Sequence, residues 1–201
     1  MALAAAGGSS LALVARVAFG ETQRASPALP AFHGQASWAA GQRAAPPFRL
    51  RDHSGAPISL AALRGRPVIV TFLDSHCVEQ CPLAGRQLGT ILRHTTPADR
   101  PTVVVVSVNP SGDTAANIQH AMAQWRLAGS WRWHWLRGTR RELARVWAAY
   151  GIAVRPGTND IAHGLALYLV DRHGFQRTGY LFPFLPNFVQ LDLQKLARER
   201  A

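Results

Sequence analysis

The sequence predicts a mixed α/β domain, and three observations carry that reading. Two short, almost continuous apolar runs, Pro67–Leu73 and Thr102–Val108, have the pattern of strands covered on both faces. A stretch of helical period lies between them, so they read as adjacent parallel strands joined by a crossover. Near the C-terminus, two alternating segments flank Asp171-Arg-His-Gly174, the composition of a hairpin turn.

The elements follow in order. Met1 to Arg16 is apolar and rich in small residues, so residues 1–20 read as an apolar leader, an export signal or a single membrane anchor. Residues 21–47 are rich in Ala, Pro, Gly, Gln and Ser without sustained periodicity and read as a flexible linker. The folded domain, 48–201, is expected to begin near Phe48, where Phe48-Arg-Leu-Arg-Asp alternates before a turn at His53-Ser-Gly-Ala. After the strand at Pro67–Leu73, a helix is expected from about Pro82 to His94, with Pro82 at its first position. Asp113 reads as the N-cap of a helix over Thr114–Leu127, and Trp131–Leu136 as an alternating strand. Thr139-Arg-Arg-Glu142 is a capping box that opens a helix to Tyr150, ended by Gly151. The strands Leu165–Val170 and Phe175–Leu181 form the hairpin, and Asn187 is expected to cap a last helix ending near Arg200. A thioredoxin-like mixed sheet flanked by helices has this order of elements.

Composition narrows the function. Hydrophobic residues make up 48% of the 201 and charged ones 16%, which excludes a disordered chain. The net charge of +11 is almost wholly arginine, since Lys195 is the only lysine, and no lysine stands by a Gly-rich turn to form a phosphate loop. The arginines are scattered, the nearest to a cluster being Arg137, Arg140, Arg141 and Arg145. With no zinc-finger or ribonucleoprotein pattern beside them, no nucleic-acid partner is expected, and acidic protein or lipid surfaces suit the charge better.

The chemistry concentrates in Thr71-Phe-Leu-Asp-Ser-His-Cys77-Val-Glu-Gln-Cys81-Pro, where a buried strand passes into a helix. Open α/β sheets bind ligands at the carboxyl ends of their strands. Cys81 is expected near the helix N-cap, where the positive end of the dipole favours its thiolate. Two thiols at this spacing can share a soft metal such as Cu(I) or zinc, cycle through a disulfide, or supply a peroxidatic nucleophile. The bland alternative is a pair of inert buried cysteines. A third ligand, if there is one, must come from the eight histidines. His33 falls in the linker, His53 and His173 in turns, His94 and His120 on helices, and His134 alternates with tryptophans. His76 adjoins Cys77 but points away from it. His163 stands at the entrance to the Leu165–Val170 strand, the end that this topology turns toward the cysteines.

Several stretches together resemble the SCO/SenC family of thioredoxin-like copper-binding proteins. They are Leu63-Arg-Gly-Arg-Pro-Val-Ile-Val-Thr-Phe, Cys77-x-x-x-Cys81-Pro, Val106-Ser-Val-Asn-Pro-Ser-Gly-Asp-Thr114, Trp135-Leu-Arg-Gly-Thr and Ile161-Ala-His163. The resemblance implies a copper ion held by Cys77, Cys81 and His163. It also implies a metallochaperone of cytochrome c oxidase assembly whose client is oxidase subunit II or a similar cupredoxin-type protein. The place implied is periplasmic, on the extracytoplasmic face of the inner membrane, with a membrane tether. Glu79 replaces the Asp common inside the motif, and Ala162 and Gly164 replace the polar residues that usually flank the histidine, so a hydrogen bond orienting the imidazole is expected to be missing. The alternative is a thiol–disulfide oxidoreductase using Cys77 and Cys81 as a redox pair on the cysteines of a client copper site. A peroxidase is disfavoured by Asp74, which stands where that class places threonine, and zinc hydrolysis lacks an obvious general base.

Overall fold

The computed structural model describes residues 32–127, 132–157 and 161–199. The leader and the first part of the expected linker lie outside these residues, as do Trp131 and most of the Gly157–Asp160 loop. Ten strands and four α-helices run through the described residues. They are β1 (Ala36–Ser37), β2 (Arg49–Arg51), β3 (Pro57–Ser59), β4 (Val68–Leu73), α1 (Gln80–His94), β5 (Thr102–Ser107), α2 (Ala115–Gln124), β6 (Trp133–Leu136), α3 (Arg140–Ala149), β7 (Val154–Pro156), β8 (Ile161–His163), β9 (Ala166–Val170), β10 (Gln176–Leu181) and α4 (Pro186–Arg198).

The main sheet has the order β1-β10-β9-β4-β5-β6. Strands β4, β5 and β6 are parallel, while β9 is antiparallel to β4, and β10 to β9. This is the expected thioredoxin-like mixed sheet. Both central strands are buried throughout, because helices cover both faces. Ile69, Leu73, Val103 and Val105 pack with α1, α2 and α4, whereas Val70, Phe72, Val104 and Val106 pack with α3 and the β2–β3 hairpin.

The structured chain begins well before Phe48. Phe32 is only 1% exposed, Ala36 pairs with Gly179, and the Tyr150 hydroxyl donates to the Pro46 carbonyl. Residues 32–47 are therefore part of the fold rather than linker. Their partners lie more than a hundred residues away, and no local periodicity marks them. The Phe48 segment pairs with β3 as a separate hairpin and stays outside the main sheet.

Several helix ends also shift. Thr114, not Asp113, caps α2, and its side chain accepts from the Asn117 amide. That helix ends at Gln124 because Trp125 turns into the core and Arg126 takes a left-handed backbone with φ of 58°. Leu185, not Asn187, precedes α4, with Pro186 as its first residue. The capping box of α3 forms as expected: Thr139 Oγ1 accepts from the Glu142 amide, and Glu142 accepts from the Thr139 amide at 2.8 Å. Gly151, with φ of 71°, follows the C-cap Tyr150.

Candidate metal and thiol centre

Helix α1 starts one turn after β4 ends, and the intervening loop carries Cys77. The loop is held from beneath. Asp74, buried at the end of β4, accepts from the His76 amide at 2.8 Å and from Asn109 Nδ2 at 3.2 Å. Asp113, equally buried, accepts from the Ser75 amide at 2.8 Å and from Trp135 Nε1 at 3.0 Å. Burial pushes the Asp113 carboxyl up, opposed by bonds from Ser107 and Ser75. The Val-Asn-Pro-Ser-Gly-Asp segment thus props the cysteine loop. Sequence reasoning noted that motif but read its aspartate as a helix cap.

Helix α1 begins at Gln80 rather than at Pro82, so Cys81 is its second residue. Its side chain is wholly buried, and Cys77 is half-buried; neither is in a disulfide. The Cys81 amide points at Cys77 Sγ over 3.5 Å. This arrangement reverses the expected polarity of the pair. The Cys81 thiol hydrogen bonding to Cys77, with the backbone amides of Cys81, Glu79 and Gln80, holds Cys77 down to about 6 against the effect of burial. The same contact with Cys77, followed by burial, pushes Cys81 well up. Cys77 is the thiolate and Cys81 keeps its proton.

His163 Nε2 lies 3.6 Å from Cys81 Sγ, 82 residues away in sequence. The histidine ends β8, which forms a two-stranded ribbon with β7 and stays outside the main sheet, a detail that the sequence pattern did not reveal. Its ring is oriented despite Ala162 and Gly164. Nδ1 lies 3.2 Å from the Gly164 carbonyl, and because a carbonyl can only accept, Nδ1 carries the proton. Nε2 is then the free lone pair, the tautomer a metal ligand needs. The hydrogen bond expected to be missing is supplied by the backbone.

These groups line a cavity of about 250 Å³, with Glu79, Ile161 and Leu165 among its other walls. Val78, between the cysteines in sequence, is 88% exposed. For metal bonds of ~2.3 Å to sulfur and ~2.0 Å to nitrogen, a 3.6 Å separation subtends ~115° at a shared ion, which suits trigonal or tetrahedral geometry. The Cys81–His163 spacing is thus compatible with two donors to one ion. Among the described residues no group of three or more His, Cys, Asp or Glu side chains, Cys77 with Cys81 and His163 included, stands close enough together to hold a metal ion as placed.

The other histidines are placed elsewhere. His76 Nε2 meets Asn117 Nδ2 at 3.3 Å. His134 Nδ1 bonds to Asp52 at 2.9 Å, and His53 stacks on Trp133. His33, which was expected in the linker, bonds to buried Asp192 and stacks on Phe188.

Fold and site together define a thioredoxin-like domain with a dithiol and an imidazole at the carboxyl end of its central strand. The SCO1/SenC family model matches residues 37–194, and the chain belongs to that family. Protein SCO2 homolog, mitochondrial, of Bos taurus is 29% identical over 181 residues, covering 84% of this chain and 62% of the relative. Across the curated relatives that it matches, the chain spans between 44% and 62% of their length. Bradyrhizobium japonicum ScoI with copper bound superposes with a TM-score of 0.65 at 24% identity, over 76% of this chain and 99% of that one. BsSco, described as a member of the Sco family of cytochrome c oxidase assembly proteins with a disulfide switch, superposes with a TM-score of 0.69 at 17% identity, over 83% of this chain and all of the other.

Proposed function

We propose that the chain is a copper metallochaperone of cytochrome c oxidase assembly, carrying the ion on Cys77, Cys81 and His163. The observation that carries this reading is the 3.6 Å approach of His163 Nε2 to Cys81 Sγ inside a cavity that Cys77 also lines. The donor set fits Cu(I), which prefers soft thiolates and accepts imidazole in low coordination. Cys77 is the more acidic thiol of the pair, so of the two sulfurs it is chiefly Cys81 that must give up a proton on binding. A client is expected to present its own ligands from the open side of this cavity. Oxidase subunit II, or a similar cupredoxin-type protein, is the proposed client, met on the extracytoplasmic side of a membrane. No helix among the described residues is long and apolar enough to cross a membrane.

A second reading has its own support. A half-buried thiolate backed by a buried protonated thiol is the arrangement that thiol–disulfide exchange uses. Cys77 would attack a client disulfide, forming a mixed disulfide and releasing one client thiolate. Cys81 would then lose its proton and attack Cys77 Sγ. The products are a Cys77–Cys81 disulfide and a client reduced by two electrons.

Competition for Cu(I) against a chromogenic chelator tests the first reading. Cys77→Ser and His163→Ala should each weaken binding by about 100-fold or more, the upper range for groups that merely orient a ligand. His163→Ala should keep its thiol–disulfide exchange. Wild-type copper affinity in His163→Ala would remove the three-ligand site and leave the oxidoreductase.

A further inference from the structure

We propose a second site, for a small polyanion bearing two or more phosphate or carboxylate groups, in the cavity between the β2–β3 hairpin and the start of α3. This cavity measures about 660 Å³, and Arg49, Arg51 and Arg137 line it together with Pro110, Thr139 and Glu142. A volume of that order suits a multi-group ligand rather than a lone ion.

The three guanidinium groups are brought together by backbone pairing. Arg49 and Arg51 alternate with buried Leu50, so they share the outer face of β2. Arg51 stands directly opposite Arg137 in an antiparallel bridge, with backbone bonds of 3.3 and 2.7 Å between them. Like charges facing each other across such a bridge are destabilising unless something of opposite sign separates them.

Among the described residues no carboxylate pairs with the three arginines. Asp52, at the edge of the cavity, is taken up by Ser54, the Ala56 amide and His134. Glu142 directs its Oε2 to the Thr139 amide and hydroxyl. Arg51 donates one Nη1–H to the Gly55 carbonyl at 2.9 Å, which orients its fork and leaves its other donors for a ligand.

The spacing selects the ligand class. Bridge partners of this kind have Cα atoms about 5.5 Å apart, and alternate residues of a strand about 6.7 Å. Two or three guanidinium forks at those intervals match separate anionic groups on one molecule, each taken in bidentate fashion. Pro110 and Arg137 follow the carboxyl ends of β5 and β6, so the cavity opens at the ligand-binding end of the sheet. It lies two strands, or about 10 Å, to the side of the cysteine loop.

The test is calorimetric titration of the metal-free 201-residue chain at low salt with pyrophosphate and, separately, with citrate. Saturable one-to-one binding of either probe is expected, and the tighter of the two assigns phosphate or carboxylate as the preferred group. Arg49→Ala and Arg137→Ala should each weaken it roughly tenfold, the worth of a charge-assisted hydrogen bond. Arg49→Lys with Arg137→Lys keeps the charge without the fork and should fall between, which also covers an alanine variant that fails to fold. Arg64→Ala with Arg66→Ala, in a separate arginine-lined groove, should leave the affinity unchanged. Failure of both probes to saturate would overturn the proposal. So would wild-type affinity in Arg49→Ala with Arg137→Ala, or an equal loss in the Arg64/Arg66 control, which would reduce the effect to diffuse charge.

Discussion

Replacing Cys81 by alanine should make Cys77 a weaker acid, and the size of the effect follows from the thiol pair. Cys77 is held at about 6, against an ordinary thiol value of 9.0, and its largest cause is the Cys81 side chain. At pH 7 about nine-tenths of Cys77 is then thiolate, against about one-hundredth of an ordinary thiol, a gain of about 90-fold. Intrinsic nucleophilicity falls with acidity, and a Brønsted slope of 0.4–0.5 over that interval removes roughly 15- to 30-fold. Cys77 should therefore alkylate roughly 3- to 6-fold faster than a free cysteine at pH 7. It should be slower than a free cysteine at pH 9, the two profiles crossing near pH 8 or just below. Because the shift is downward, reactivity is full above the midpoint and is lost as pH falls through about 6. The assay is iodoacetamide labelling across pH 4–10 with peptide mass spectrometry, Cys81 staying unlabelled because it is buried and protonated. In Cys81→Ala the midpoint should move up toward 9.0, stopping short because amides of the α1 N-terminus still point at the sulfur. A wild-type midpoint above 8, or an unmoved midpoint in the variant, would refute the assignment of Cys77 as the thiolate supported by Cys81.

Two further outcomes test the frame around the site. A Cβ at Gly85 would stand 2.4–2.8 Å from the Trp125 ring, so Gly85→Ala should cost about 1–3 kcal/mol in urea denaturation despite its better helix propensity. The Asp52 carboxyl, which burial alone would raise, is brought down to about 2 by bonds from Ser54, His134 and the Ala56 amide. Its contribution is complete above the ordinary value of 3.8 and lost as pH falls through about 2, so Asp52→Asn should flatten the acid limb of a stability profile over that window.

Legibility in the sequence tracked how local each determinant is. Strands β4 and β5 were plain because covering both faces forces a continuous apolar run, and the Thr139–Glu142 box because both partners sit within one turn. The place of Cys77 and Cys81 at a strand-to-helix junction was readable for the same reason. The strand at Ala36–Ser37 was not, since its partner among the described residues is β10, about 140 residues on. Asp113 was misread because an aspartate before a threonine looks like a cap whether or not it turns inward to Ser75 and Trp135. Which cysteine keeps the proton was hidden too. It depends first on the hydrogen bond between two identical side chains and then on their unequal burial, neither of which the spacing shows.

The bracing of the cysteine loop by Asp74 and Asp113 divides the three donors into unequal kinds. Up to His76 the chain is bolted to the ends of β4 and β5, and from Gln80 it is helix, which leaves only the three residues Cys77 to Glu79 between two fixed points. Cys81 therefore behaves as a stationary post sunk in the core. Cys77 rides on that short span, and His163 on a ribbon that the main sheet does not include. An ion gripped by all three would be held by one rigid arm and two compliant ones, both on the solvent side. On the proposed copper-carrier reading, an approaching partner would displace the outer arms first, and the buried sulfur would let go last.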